Sequence, residues 1–266
     1  MQSIANSAII FDLLKLALFV GCGYLAFATY ARRARAPWVL ALATRRMAVL
    51  TLLTLSVVGI KVFEDVIAKE SGPIDQAILW FLRQTMPPVL LKFFAAVTWT
   101  GAAIFLVPAT AIGCGWLLAK RYLREAAFLG ASMASGWALT YILKTLVSRS
   151  RPELWSTTWY WGSSFPSGHT LSTAVFSTAL TLIAARIWPA SRRFVLPIAV
   201  LWIGLMGLSR LVLGVHWPSD VLAAVCIGVF LPLALHLYFF SIRSDAHQHR
   251  SSNVYGFSHH EPTSPK

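Results

Sequence analysis

Long apolar runs, separated by short gaps that gather Arg, Lys, Pro and Gly, set the pattern of this chain. Seven runs come close to the ~20 apolar residues that a helix needs to cross a bilayer. They lie at about 8–30, 47–66, 96–119, 126–146, 169–187, 194–212 and 219–241. Each is expected as a membrane-spanning helix, so the fold class is all-α, a polytopic transmembrane helical bundle. The first run has no basic residue ahead of it and is longer than the apolar stretch of a signal peptide, so it is expected to be retained. Between the second and third runs, Ile74, Ile78, Leu79, Phe81 and Leu82 can form the apolar side of a short surface helix. Asp75 and Arg83 would lie on its other side, and Pro87-Pro88 would stop it. From Arg243 the chain is polar, rich in Ser and His, and reads as a disordered tail; His247, His249, His259 and His260 there could bind a metal adventitiously, but a floppy tail is the better reading. No fixed-period repeat is present. The chain divides into 1–46, an extra N-terminal span with a basic loop; 47–242, the main membrane domain; and 243–266, the tail.

Composition strengthens this reading. Of 266 residues, 57% are hydrophobic and only 12% charged, where a soluble domain carries about 25% charged residues. The net charge of +13 would suggest nucleic acid in a soluble protein. Here the cations sit in the gaps, which is the footprint of membrane topology, and no nucleic-acid partner is expected. Arg32, Arg33, Arg35, Arg45, Arg46, Lys120, Arg121, Arg124, Arg186, Arg192, Arg193, Arg243, Arg250 and Lys266 all fall on one side if the seven spans alternate. The positive-inside rule makes that side cytoplasmic. Segments 67–95, 147–168 and 213–218 then lie outside. Cys22, Cys114 and Cys226 each sit within an apolar run and read as small apolar residues, not as a disulfide framework or a metal site.

Three short stretches at span ends carry chemistry, and all three fall on the outer side. Lys144 closes the fourth run, with Arg149 and Arg151-Pro152 just beyond it. A lysine there can simply snorkel, but the arginines stand where basic residues are scarce. Pro166-Ser167-Gly168-His169 opens the fifth run. Ser167 suits an N-cap, Gly168 lets the backbone approach a ligand, and the free N–H groups of a helix start form an anion site beside His169. Ser209-Arg210 closes the sixth run, followed by His216 and Asp220. Asp220, in the first turn of the seventh run, can reach back to one ring nitrogen of His216 and leave the other free to attack. Asp220 could equally just cap its helix, though that alone explains neither Arg210 nor His216. Together these stretches supply cations, two histidines and a carboxylate, the inventory for gripping a phosphate and breaking its ester bond.

The spacing of these residues resembles the type 2 phosphatidic acid phosphatase superfamily, whose pattern is Lys, six residues, Arg-Pro; Pro-Ser-Gly-His; and Ser-Arg, five residues, His, three residues, Asp. Every fixed position is met, over about residues 96–241. The resemblance implies a six-helix phosphatase core, to which the first span is an addition. It also implies roles: His216 as nucleophile forming a phosphohistidine, Asp220 orienting it, and His169 as general acid. Lys144, Arg151 and Arg210 would neutralise the phosphoryl oxygens, with Ser167 and the Gly168 amide adding hydrogen bonds. No metal or other cofactor is expected. Glu64, Asp65 and Glu70 are the nearest outer carboxylates, and Glu64 and Asp65 are expected to pair with Lys61 at helical spacing. The expected partner beyond the bilayer itself is a lipid phosphate, first choice undecaprenyl pyrophosphate. Phosphatidylglycerol phosphate, phosphatidic acid and a lipid A phosphate are alternatives. A lipid phosphotransferase built on the same phosphohistidine, and a non-enzymatic lipid transporter, are the competing readings.

Overall fold

The computed structural model describes residues 2–34, 39, 42–153 and 162–242. The polar tail and the middle of the 153–165 segment lie outside the described residues. Nine α-helices follow one another among those residues: α1 Gln2–Arg33, α2 Arg46–Ile67, α3 Gly72–Thr85, α4 Pro88–Trp99, α5 Ala103–Ala119, α6 Leu123–Val147, α7 Gly168–Ile187, α8 Arg192–Val212 and α9 Pro218–Leu237. A π-helical turn at Tyr238–Ile242 extends α9. Six helices are long and apolar enough to cross a membrane, and α4 with α5 make a seventh if that bent pair is one span. The chain is a multi-pass membrane protein with an all-helical fold.

The expected continuous span at 96–119 is corrected by the structure. Helix starts again at Pro88, because proline is at home in a first helical turn. The chain then breaks at Thr100–Ala102 and bends by 42°. Gly101 lies in the break, where an added Cβ would come within 2.6 Å of the Met206 side chain and 2.9 Å of the Thr173 hydroxyl. The bend thus lets backbone press against both α7 and α8.

Helix α7 forms the centre of the bundle; α6, α8 and α9 all pack on it. Its Leu171, Val175 and Phe176 join Phe128, Leu129 and Met133 of α6 in the main core. Small residues set the closest approach, since a Cβ at Gly228 of α9 would fall 2.6 Å from the Ala174 Cβ and 2.8 Å from the Leu171 carbonyl oxygen. With lipid as solvent, such backbone proximity and its dispersion energy drive helix association. By contrast α1 rests against α2, and none of its apolar window is buried.

Helix α3 forms over the stretch where a short surface helix is expected. Ile74, Ile78, Trp80 and Phe81 are exposed, whereas Asp75 and Leu79 are buried against the bundle. In lipid the apolar side can face outward, and the polar residue turns inward to find partners. Lys61 pairs with Asp65 at 2.7 Å and Glu64 at 3.5 Å, as their spacing predicts.

Candidate active site

Four helix ends meet at one end of the bundle. Lys144 is in the last turn of α6, Ser167 is the N-cap of α7, Arg210 is in the last turn of α8 and Asp220 is in the first turn of α9. Two loops complete the cluster. After α6, Ser148 in the left-handed region turns the chain toward Arg149 and Arg151. After α8, Gly214, with φ 65°, allows a tight turn that brings the Val215 N–H back to the Arg210 carbonyl at 3.2 Å. That turn presents His216. Phe165, fully buried against Val66 and Ala223, anchors the loop that leads into Ser167.

Asp220 is the hub. Its Oδ2 accepts the Trp217 backbone N–H at 2.9 Å, closing the first turn of α9, and also a bond from the Ser164 hydroxyl. Its Oδ1 accepts from Arg149 at 2.7 Å. The same guanidinium donates to Asp75 at 2.7 Å, to the Ser219 hydroxyl at 2.8 Å and to the Ser71 hydroxyl at 3.1 Å. Asp75 in turn accepts from the Ser219 N–H at 2.9 Å and its hydroxyl at 2.6 Å. One guanidinium between two buried carboxylates thus ties α3 to α9, with every member bonded, the condition under which buried charge is tolerated.

His216 is held from both sides. Its Nδ1 lies 3.5 Å from Asp220 Oδ2 and has no closer partner. Its Nε2 lies 3.3 Å from an Arg151 guanidinium nitrogen, which also donates to the Val215 carbonyl at 2.8 Å. An arginine can only donate, so Nε2 is the accepting nitrogen and the proton sits on Nδ1, toward Asp220. Burial pushes the imidazole down to about 4; the Asp220 carboxylate opposes the shift, and the Arg210 and Arg151 guanidiniums add to it. His216 is therefore a neutral imidazole at neutral pH, with its lone pair on the Arg151 side.

The other residues expected from the sequence gather around this pair. Arg210 is fully buried and donates to the Thr98 hydroxyl. Lys144 donates to the Ser163 carbonyl, and a Cβ on Gly168 would lie 3.9 Å from its Cε. His169, in the first turn of α7, is within electrostatic reach of Arg210, His216, Lys144 and Arg151. Ser167 donates its N–H to the Asp220 carbonyl at 3.3 Å. Its hydroxyl engages Thr170 at 3.0 Å rather than capping α7. At Gly168 an added Cβ would meet only ordinary contacts, so packing does not require glycine there. The hydroxyl of Ser167 and the amine of Lys144 would have to turn from protein partners to reach an anion.

Sequence reasoning missed Asp75, Ser164, Ser219 and Thr98, and it gave Arg149 no partner. The available signal was an acidic residue on a helix too short to span, next to a loop with an unexplained arginine.

Among the described residues no three His, Cys, Asp or Glu side chains gather as metal ligands. The arrangement can bind a phosphoryl group between cations and present it with a neutral nucleophilic nitrogen.

Comparison with known proteins agrees with this arrangement. The family model described as PAP2 superfamily matches residues 125–244, which contain every residue of the three stretches. Phosphatidylglycerophosphatase B of Escherichia coli is 46% identical over 69 residues, a match that spans a quarter of each chain. The decaprenylphosphoryl-5-phosphoribose phosphatase of Mycobacterium tuberculosis is 34% identical over 126 residues, covering 43% of this chain and 66% of the relative. In fold, the chain is similar to the crystal structure of a transmembrane PAP2-type phosphatidylglycerolphosphate phosphatase from Bacillus subtilis. The TM-score is 0.59 at 24% identity, over 72% of this chain and 96% of the other. Residues 125–244 thus carry the match to the PAP2 superfamily, and the helical arrangement around them is similar to that of a PAP2-type phosphatase.

Proposed function

We propose that the protein is an integral membrane phosphatase that hydrolyses a phosphomonoester or pyrophosphate of a lipid, working at the extracytoplasmic face through a phosphohistidine. The observation that carries this reading is the polarised His216: Nδ1 toward Asp220 at 3.5 Å, Nε2 beside Arg151 at 3.3 Å.

The chemistry follows from that geometry. Lys144, Arg151 and Arg210 hold the phosphoryl oxygens, and the free N–H groups at the start of α7 add to the grip. Phosphoryl transfer depends mainly on positioning and charge stabilisation of this kind. The Nε2 lone pair attacks phosphorus, forming a P–N bond as the bond to the leaving oxygen breaks. His169 donates its proton to that oxygen, a contribution of ~10²–10⁴-fold for a positioned general acid. The Nδ1–H stays with Asp220, which stabilises the imidazolium. Water then attacks phosphorus, His169 takes its proton, the P–N bond breaks and inorganic phosphate leaves with both residues restored.

Undecaprenyl pyrophosphate is the first choice of substrate. The segment 153–165 is short, which leaves little room for recognising a large headgroup, and the name of the M. tuberculosis relative contains a polyprenyl phosphoryl group. The name of the E. coli relative favours a second reading, phosphatidylglycerol phosphate. Phosphate release from a panel of pure lipid phosphates in detergent, with no acceptor lipid and with EDTA present, tests the proposal. Release is expected under those conditions, fastest for undecaprenyl pyrophosphate. His216→Ala is expected to abolish it, together with an acid-labile, alkali-stable phosphoenzyme trapped from labelled substrate. Turnover by His216→Ala at the parent rate would overturn the mechanism, and release only on adding an acceptor would make the protein a transferase.

A further inference from the structure

The end of the bundle away from the candidate active site holds a cavity of about 920 Å³ open between helices α2, α7, α8 and α9. Each of these helices reaches the catalytic cluster at its other end. His169 and Arg186, for instance, stand at opposite ends of α7, roughly 25 Å apart at the helical rise, close to a hydrocarbon thickness. The cavity has two kinds of wall. Arg45, Arg46, Arg186, Arg192 and His236 line one part, and Leu182, Leu196, Ile203 and Leu233 line another. Arg186 is paired with Glu125 at 2.9 Å. No acidic partner of Arg45, Arg46 or Arg192 occurs among the described residues, and all three are exposed. His236 keeps a buried Nδ1 with no hydrogen-bond partner.

Local electrostatics sharpen the point. Arg45 and Arg46 are the N-cap and first residue of α2, and Arg192 opens α8; neither helix start has a side-chain cap. Arginines thus stand at the positive end of α2 and, just after the 3₁₀ turn Pro189–Ser191, in the first turn of α8, opposite to what a helix dipole favours. Membrane topology explains why cations lie at this end, but it does not require an open groove with an apolar wall beside them. An anion carrying apolar chains would satisfy both walls at once, as basic pockets between transmembrane helices do for acidic lipid headgroups.

We propose that this groove binds an anionic phospholipid of the leaflet opposite the candidate active site. Its phosphate would sit among the Arg45, Arg46 and Arg192 guanidiniums and an acyl chain along the apolar wall. The tail is a poor alternative occupant, because its Arg243, Arg250 and Lys266 outnumber Asp245 and Glu261. The proposal does not depend on the catalytic reading.

Native mass spectrometry of the full chain, with dioleoyl phosphatidylglycerol or dioleoyl phosphatidylcholine added in detergent, tests it. The chain is expected to retain one phosphatidylglycerol, with roughly a tenfold preference over phosphatidylcholine. Arg46→Glu combined with Arg192→Glu is expected to remove that preference, while elution on gel filtration and lipid-free Tm stay unchanged, since glutamate suits a helix start. Should the double reversal not fold, Arg46→Gln with Arg192→Gln is expected to weaken retention several-fold. Equal retention of both lipids, or undiminished phosphatidylglycerol binding in whichever folded variant is used, would overturn the proposal. So would displacement of the lipid by an equal concentration of inorganic phosphate. Retention that appears only when the chain ends at residue 242 would identify the tail as the occupant, with the same consequence.

Discussion

Asp220 serves four partners with two oxygens: Arg149 on Oδ1, and Ser164, the Trp217 N–H and His216 on or near Oδ2. Its plane is therefore fixed, and so is the tautomer of His216. Asp220→Asn keeps the volume but must turn an NH2 toward one of these donors. The expected result is a fall of ~10²–10⁴-fold in kcat, the scale seen when a histidine loses its orienting carboxylate. KM is expected to change little, because Lys144, Arg151 and Arg210 remain; steady-state kinetics on the best lipid of the panel checks both. The protonation of His216 is a separate expectation. Burial lowers it from an ordinary 6.5 to about 4, so the imidazole is neutral above about pH 4 and gains its proton, losing its nucleophilic lone pair, only as pH falls through that value. In ¹⁵N-histidine spectra, the signals that vanish in His216→Ala are expected to titrate near pH 4. A midpoint near 6.5 would contradict the buried, neutral imidazole.

At the scale of elements, the network around Arg149 decides how α3 meets α9. Removing one member of a buried, paired set leaves an uncompensated charge, which costs about 3–5 kcal/mol. Arg149→Ala strands Asp75 and Asp220 together and is expected to lower Tm strongly. Asp75→Asn, which removes one charge and keeps a hydrogen-bonding group, is expected to cost less. Scanning calorimetry in detergent ranks them, and equal stability of the parent and Arg149→Ala would mean that the network contributes nothing. Helix lengths and the gathering of Lys144, Ser167, His169, Arg210, His216 and Asp220 at helix ends were legible in the sequence, because span length and end position follow from hydropathy alone. Asp75 was not, for a physical reason. The pattern of Ile74, Ile78 and Phe81 places an amphipathic helix at the surface but does not say what its polar side meets; Asp75 turns inward to Arg149 and Ser219, 74 and 144 positions along. The bend at Gly101 was hidden as well, because it serves packing against Met206 and Thr173, which lie 105 and 72 positions along.

At the scale of the whole molecule, the two ends of the bundle differ in what their charges do. At one end Arg149 is locked between carboxylates and Arg210 is buried on Thr98, so those cations are parts of a built site. At the other, Arg45, Arg46 and Arg192 are exposed at helix starts, the pattern expected of residues that were never moved across the bilayer. With the bent pair α4–α5 counted as one span, the proposed orientation puts the C-terminus on the side of the exposed cations and the cluster around His216 on the far side. Two measurements follow. A green fluorescent protein fused after Lys266 is expected to fluoresce in a bacterial host, and alkaline phosphatase at the same place to stay inactive. A water-soluble, membrane-impermeant lipid phosphate analogue is expected to lose its phosphate to intact spheroplasts as fast as to lysed ones. An active alkaline phosphatase fusion, or hydrolysis only after lysis, would reverse the orientation and put the cluster around His216 in contact with cytoplasmic lipid.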